Sequence, residues 1–163
     1  MRVNGSLGVE WIECIHPVKN RWAVRWDVQP ETDENGEKIG VTYEEEVFNH
    51  RPTEPEIKEK VNAWINASVD EKIFSGFVWE GYPVWLSQEN QFNYKAAYDL
   101  AVQTSGATLP VKFKLGTDEE PKYHLFETVE ELSDFYIKLV AHIQNTLGEG
   151  WEKKENFDYS LYQ

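Results

Sequence analysis

Residues 74–101 constrain the fold more than any other part of the chain, because they predict a tight hairpin that runs directly into a helix. Aromatic and β-branched residues lie on both sides of Glu80-Gly81, and such residues favour a pleated, half-buried surface. Gly81 suits the positive φ of a two-residue turn. Ser87 suits the N-cap of the helix that follows. The apolar face of this helix has i, i+3, i+4, i+7 spacing. Its members are Tyr94, Ala97, Tyr98 and Ala101.

A second hairpin and helix follow. Residues 109–115 and 122–126 are predicted strands around a polar turn, and Thr128 with Glu131 forms a capping-box pattern before a helix over residues 129–147. We expect the glycines at 148 and 150 to end this helix, and residues 151–163 show too little periodicity to assign.

The N-terminal third predicts a small antiparallel meander. Strands are expected over residues 7–15 and 21–28, with a third beginning at residue 39. Arg25 is expected to pair across the sheet with Glu13 or Glu46, and an anion site is the alternative. Thr53 and Glu56 form a capping box for a helix over residues 53–66, which should cover one face of the meander.

These elements together predict an α+β fold: an antiparallel β-meander followed by a β-hairpin, helix, β-hairpin, helix layer. We expect residues 1–51 to form the meander, as an attachment module, and residues 52–163 to form the α+β domain. The helices of this domain should pack on one face of one antiparallel sheet. The residues expected in a single core are Trp64, Trp79, Phe92, Tyr98, Leu132, Tyr136 and Leu139.

The charge of the chain excludes several partners. A formal net charge of −13 argues against nucleic acid, which needs a basic surface, and against an anionic membrane. Cys14 is the only cysteine, so an intramolecular disulfide is impossible. The first residues lack the apolar segment of a signal peptide. The expected location is the cytoplasm, or a particle assembled there.

No catalytic or metal-binding motif stands out. The four histidines have no zinc-ligand spacing, although His124 and His142 could meet in space. The chain has 29 acidic residues, so their abundance makes any pair uninformative. Glu80 is a candidate because aromatic residues flank it, with a solvated turn residue as the simpler interpretation. We therefore expect no catalytic residue, no metal and no cofactor.

The aromatic hairpin, the Ser- and Gln-rich helix start, the threonine-capped helix and the charged tail resemble a small domain of unknown function found in bacteriophage tail and prophage-encoded proteins. The similarity covers roughly residues 73–157 and leaves the meander outside. The positions that match are Gly81, Ser87, Gln91, Thr128, Glu131, Leu132 and His142. The resemblance implies a virion or assembly context and carries no active site.

We therefore expect a non-enzymatic structural or protein-interaction component of a phage-tail-like, prophage-encoded system. Its partners would be tail proteins or a second copy. The alternatives are a carbohydrate-binding module that uses exposed aromatic residues and a hydrolase that uses Glu and His. Trp and Arg are enriched at binding hot spots, so the second strand supplies a candidate contact surface. Its members are Arg21, Trp22, Arg25 and Trp26. The alternative is that the C-terminal domain covers both faces of the meander, which would leave no contact surface exposed there.

Overall fold

The computed structural model describes residues 1–163 and confirms the α+β class. The strands are β1 (Arg2–Gly5), β2 (Ile12–His16), β3 (Arg21–Thr32), β4 (Lys38–Phe48), β5 (Phe77–Trp79), β6 (Tyr82–Val84), β7 (Val111–Gly116) and β8 (Pro121–Phe126). The α-helices are α1 (Glu54–Ser75), α2 (Gln88–Gln103) and α3 (Val129–Glu155).

The chain divides into two compact units. Unit 1 comprises Met1–Trp64 and Asn156–Gln163, and unit 2 comprises Ile65–Glu155. The division lies inside α1, whereas the expected module limit lay between residues 51 and 52. Whether residues 1–51 form an attachment module stays a prediction.

Unit 1 contains a four-stranded antiparallel sheet in the order β1-β4-β3-β2. The expected strand over residues 7–15 is wrong in its first half, because a turn at Leu7-Gly8, with Gly8 at φ 79°, separates β1 from β2. β1 was not predicted. It pairs with β4, from Arg2 opposite Glu44 to Gly5 opposite Val41.

The first part of α1 packs on this sheet, as expected. Trp64 meets Trp26 edge to face at 6.4 Å between ring centroids, and the Lys60 ammonium lies 2.9 Å from the Glu46 carboxylate. Ile57 and Val61 are buried on the same stretch of helix. The C-terminal residues also belong to unit 1, since the Tyr162 hydroxyl donates to the Arg25 carbonyl at 2.7 Å.

In unit 2, the predicted hairpin β5–β6 follows the end of α1. Glu80 and Gly81 have φ of 49° and 79°, the pattern of a turn that matches strand twist. Trp79 pairs with Tyr82 across it. The Ser87 hydroxyl accepts from the Asn90 backbone N–H at 3.2 Å, which confirms the predicted N-cap of α2.

The two hairpins of unit 2 do not form one sheet. β5–β6 and β7–β8 are separate two-stranded sheets, so the prediction of helices on one face of a continuous sheet is wrong. Each hairpin instead supplies large side chains to a shared apolar core with α2 and α3. This core contains Phe77, Trp79, Val84, Leu86, Tyr94, Ala101, Phe113, Leu115, Phe126, Leu132, Phe135 and Leu139.

Two helices are longer than predicted. α1 continues to Ser75 because Val69 and Ile73 extend the i+4 apolar spacing from Ile65. α3 continues through both glycines to Glu155. A Cβ at position 150 would lie 2.5 Å from the Val69 side chain, so Gly150 permits close approach of α3 to α1 and does not end the helix.

The expected core list is partly right. Trp79, Leu132 and Leu139 are buried. Phe92 is 70% exposed. It lies two residues before the buried Tyr94 and therefore on the opposite side of α2. Tyr98 and Tyr136 are half-buried and stack at 4.6 Å. Trp64 is half-buried and packs against Trp26 in unit 1.

Candidate functional site

The strand β3 carries the contact surface predicted from the sequence, and two of its four members are not at the surface. Arg25 is only 6% exposed. Its guanidinium donates to Glu13 at 2.7 Å, to Glu45 at 2.8 Å and to the Glu10 carbonyl at 3.0 Å. The expected pairing with Glu13 is therefore confirmed, and the second carboxylate is Glu45 and not Glu46.

The electrostatics of Arg25 follow from this enclosure. Burial alone would lower the pKa of the guanidinium, but the hydrogen bonds that it donates to Glu45 and Glu13 outweigh burial and raise the pKa. The guanidinium also lies over the Tyr43 ring, 5.4 Å from its centroid. An arginine held in this way stabilises the sheet and is too little exposed to form a contact with a partner.

Trp26 is also buried, at 4% exposure. Its ring packs against Trp64, so the prediction that it belongs to an exposed contact surface is wrong. The alternating sequence of β3 indicated a strand with one buried and one exposed face. In the structure residues 23–26 are all buried, so both faces of the strand are covered at this point. α1 and the C-terminal residues supply partners to both faces, among them Trp64 and Tyr162.

The other two residues of the predicted surface remain accessible. Arg21 is exposed and Trp22 is half-buried. The Trp22 indole N–H donates to Asn20 at 2.9 Å, and the Arg51 guanidinium lies 5.3 Å from the Trp22 ring centroid. Contact with a partner protein therefore stays a hypothesis for Arg21 and Trp22 alone.

The histidines occupy separate environments. His124 Nε2 lies 2.6 Å from the Glu131 carboxylate, and its ring meets Trp79 edge to face. His142 Nε2 donates to the Lys72 carbonyl at 3.0 Å. No group of three His, Cys, Asp or Glu side chains is placed to hold a metal ion. Glu80 is an exposed residue of the hairpin turn.

Unit 2 contains a cavity of about 760 Å³, which we call the Trp85 cavity. It opens between β6, the first turns of α2, β7 and the turn that follows β7. Its lining residues are Ser75, Pro83, Val84, Trp85, Asn90, Asn93, Tyr94, Lys112, Phe113, Lys114, Gly116, Thr117 and Asp118. Its volume lies within the range of small-molecule sites in proteins.

The apolar lining of the Trp85 cavity continues into the core. Val84, Tyr94 and Phe113 are buried, and the Tyr94 and Phe113 rings lie 4.6 Å apart. Trp85 is 56% exposed and rests on Phe74 at 5.9 Å between ring centroids. The core thus fixes the inner lining, while one broad aromatic side chain stays open to solvent.

The polar groups of the cavity differ in what they already bind. The Lys114 ammonium lies 2.5 Å from Asp118, and this pairing lowers the pKa of the Asp118 carboxyl. The Asn90 side chain donates to the Trp85 carbonyl at 2.9 Å. The side chains of Asn93 and Lys112 and the hydroxyl of Tyr94 make no hydrogen bond or ion pair within the protein.

Sequence reasoning missed this cavity. Tyr94 entered the argument only as a helix residue, and neither Trp85 nor Lys112 was singled out. The signal was an aromatic residue at the exit of β6, followed by two asparagines spaced i, i+3 at the start of α2. The contribution of β7 could not be found in this way, because β7 is distant along the chain.

Comparison with protein-family models, with curated proteins and with solved structures finds no match for this chain. None of its helices combines the length and the apolar character that crossing a bilayer requires.

Proposed function

We propose that this protein is a non-enzymatic structural or protein-interaction component of a phage-tail-like, prophage-encoded system, cytoplasmic or associated with the virion. Its partners would be tail components or a second copy of the chain. The resemblance over residues 73–157 supports the context. The exposed apolar side chains on the hairpin β7–β8 support the mode of action.

The outer face of this hairpin carries the proposal. Tyr123 and Leu125 on β8 are exposed, whereas Phe113 and Leu115 on β7 point into the core. Lys112 and Lys114 lie opposite Leu125 and Tyr123 on the same outer face. Tyrosine buries a large area with few rotatable bonds, which makes it efficient at protein contacts. Lys112, which has no carboxylate partner, favours an acidic partner surface.

The acidic residue that lines the Trp85 cavity offers no support for general acid catalysis there. A general acid near neutral pH needs a raised carboxyl pKa. Asp118, at the edge of the Trp85 cavity, has a lowered pKa because Lys114 pairs with it. It therefore stays ionised and helps to fix the turn after β7.

Sedimentation of tail particles tests this proposal. Particles released from a strain that encodes the chain are separated on a density gradient and probed with an antibody against it. We expect the wild-type chain to sediment with the particles. Tyr123→Ser should remain at the top of the gradient, because the substitution removes an exposed anchor without disturbing the core. Ile137→Ser, which removes an equally exposed apolar side chain from α3, should sediment like wild type.

Two results would contradict the proposal. One is a wild-type chain that stays with the soluble proteins under all lysis conditions. The other is equal loss with Tyr123→Ser and Ile137→Ser, which would show that the hairpin has no special part in the contact.

Carbohydrate binding is a second candidate, and a specific observation favours it: Trp85 exposes its ring at a cavity that two asparagine side chains also line. Aromatic faces and amides are suited to the apolar and hydroxyl faces of a sugar ring.

A further inference from the structure

We propose that the Trp85 cavity binds a sugar unit bearing one carboxylate, with the Lys112 ammonium pairing with the carboxylate and the Trp85 indole stacking on the ring. The inference rests on the second candidate function, carbohydrate binding, and specifies its ligand. It shares Lys112 with the proposed protein contact of β7–β8, but sugar titration and particle sedimentation test the two separately.

Tyr94 lines the cavity with a hydroxyl that makes no hydrogen bond within the protein and is accessible to solvent. Tyr94 is only 7% exposed, and its ring is wedged against Phe113 and Phe135 at 4.6 and 5.1 Å. Most of the side chain is therefore fixed by the core, and the hydroxyl is the part that reaches the cavity. Burial raises the pKa of this phenol, so it stays a neutral donor. A ligand hydroxyl or ring oxygen in the cavity would accept a hydrogen bond from it in place of solvent.

The charge of the site favours one anionic group. Lys114 is neutralised by Asp118, so Lys112 is the ammonium left without a carboxylate among the lining residues. The chain as a whole carries a net charge of −13, which repels anions at long range. A single unpaired ammonium therefore suits a ligand with one carboxylate better than a phosphate ester or a polyanion.

The remaining lining matches a sugar ring. The exposed Trp85 face offers the flat apolar surface on which the C–H face of a sugar packs. Asn90 is held in place by its bond to the Trp85 carbonyl, which leaves its side-chain oxygen as an acceptor. Asn93 has a donor and an acceptor uncommitted. Asn90 and Asn93 lie on α2 and Trp85 directly follows β6, and the core of unit 2 anchors this segment through Val84, Leu86 and Tyr94.

The experiment compares an acidic sugar with its neutral counterpart. The ¹⁵N-labelled full chain is titrated with methyl glucuronide and, separately, with methyl glucoside, both at millimolar concentrations. We expect chemical-shift changes at Trp85, Asn90, Asn93 and Lys112, and an affinity for the glucuronide about tenfold higher. The preference should shrink as salt is added, because the ammonium is exposed to solvent.

Two variants assign the roles. Lys112→Gln should bring the affinity for the glucuronide down to that for the glucoside and leave the latter unchanged, whereas Lys38→Gln on β4 should change neither. Trp85→Leu should abolish binding of both sugars. Trp151→Leu is its matched control, since Trp151 is 58% exposed on α3 and lies outside the cavity, and it should bind like wild type.

All four positions are exposed, so the amide spectrum of each variant should stay dispersed. The proposal is overturned if neither sugar shifts the cavity residues, if both bind equally well to wild type, or if Lys112→Gln keeps the preference for the acid.

Discussion

Units 1 and 2 each place tryptophan beside a basic residue, and the two places have different uses. On β3, Arg25 and Trp26 are both buried, and the arginine is held by two carboxylates. At the Trp85 cavity, Lys112 has no carboxylate partner and the indole is open. A basic residue that already has carboxylate partners, as Arg25 does, has a structural role. A basic residue without one, as Lys112, can bind an acidic ligand.

The largest expected contrast is in the two tryptophans. Trp26→Ala removes a buried ring from between β3 and Trp64, so it should lower the free energy of unfolding by about 3–5 kcal/mol. Trp85→Ala removes a side chain that has one aromatic neighbour, Phe74, and should cost about 1 kcal/mol. Urea titration followed by circular dichroism measures both. Equal losses of unfolding free energy in the two variants would contradict the distinction between a buried Trp26 and an open Trp85.

The basic residues should differ in the same direction. Arg25→Met leaves Glu45 and Glu13 without their cation, and breaking such a pair should cost about 2–4 kcal/mol, since Glu13 is partly hydrated. Lys112→Gln should change stability by less than about 0.5 kcal/mol, as is usual for surface sites. The same urea titrations apply. A stable Arg25→Met protein would mean that the guanidinium is not needed for the sheet.

Sequence patterns could predict only part of this contrast. The hairpin at Glu80-Gly81, the Ser87 cap and the Arg25–Glu13 pair all depend on residues near one another in the chain or on adjacent strands. β1 pairs with β4 about forty residues away, and Tyr162 reaches Arg25 from the other end of the chain. Periodicity within β3 could not reveal these partners, so it placed Trp26 and Arg25 at the surface.

The contact from the C-terminal residues gives a smaller effect. Tyr162→Phe removes the hydroxyl that donates to the buried Arg25 carbonyl and should cost about 1 kcal/mol. Tyr123→Phe, at an exposed tyrosine of unit 2, should have no measurable effect on the thermal midpoint. A Tyr162→Phe midpoint equal to that of wild type would show that the C-terminal residues add little to unit 1.

The smallest effect depends on pH. Hydrogen bonds from the Thr53 backbone N–H and hydroxyl, with His50, lower the pKa of the Glu56 carboxyl from 4.5 to about 2. Because the folded-state pKa is depressed, this stabilisation is present above pH 4.5 and is lost as the pH falls towards 2.

Thermal midpoints of wild type and Glu56→Gln measured across this range should differ at neutral pH and converge in acid. Glu130→Gln, in the first turn of α3, is the control and should keep the wild-type pH profile. A constant difference at every pH would show that ionisation of the Glu56 carboxyl does not contribute to stability.

Hydrogen exchange of the seven indole N–H groups tests the central contrast most directly. The signals are assigned by single Trp→Phe substitutions and followed by NMR after transfer to D₂O. We expect the Trp85 and Trp151 signals to vanish within the first spectrum, and the Trp26 and Trp79 signals to persist. Rapid exchange at Trp26 together with protection at Trp85 would contradict the account, because the strand predicted from the sequence would then be the open surface.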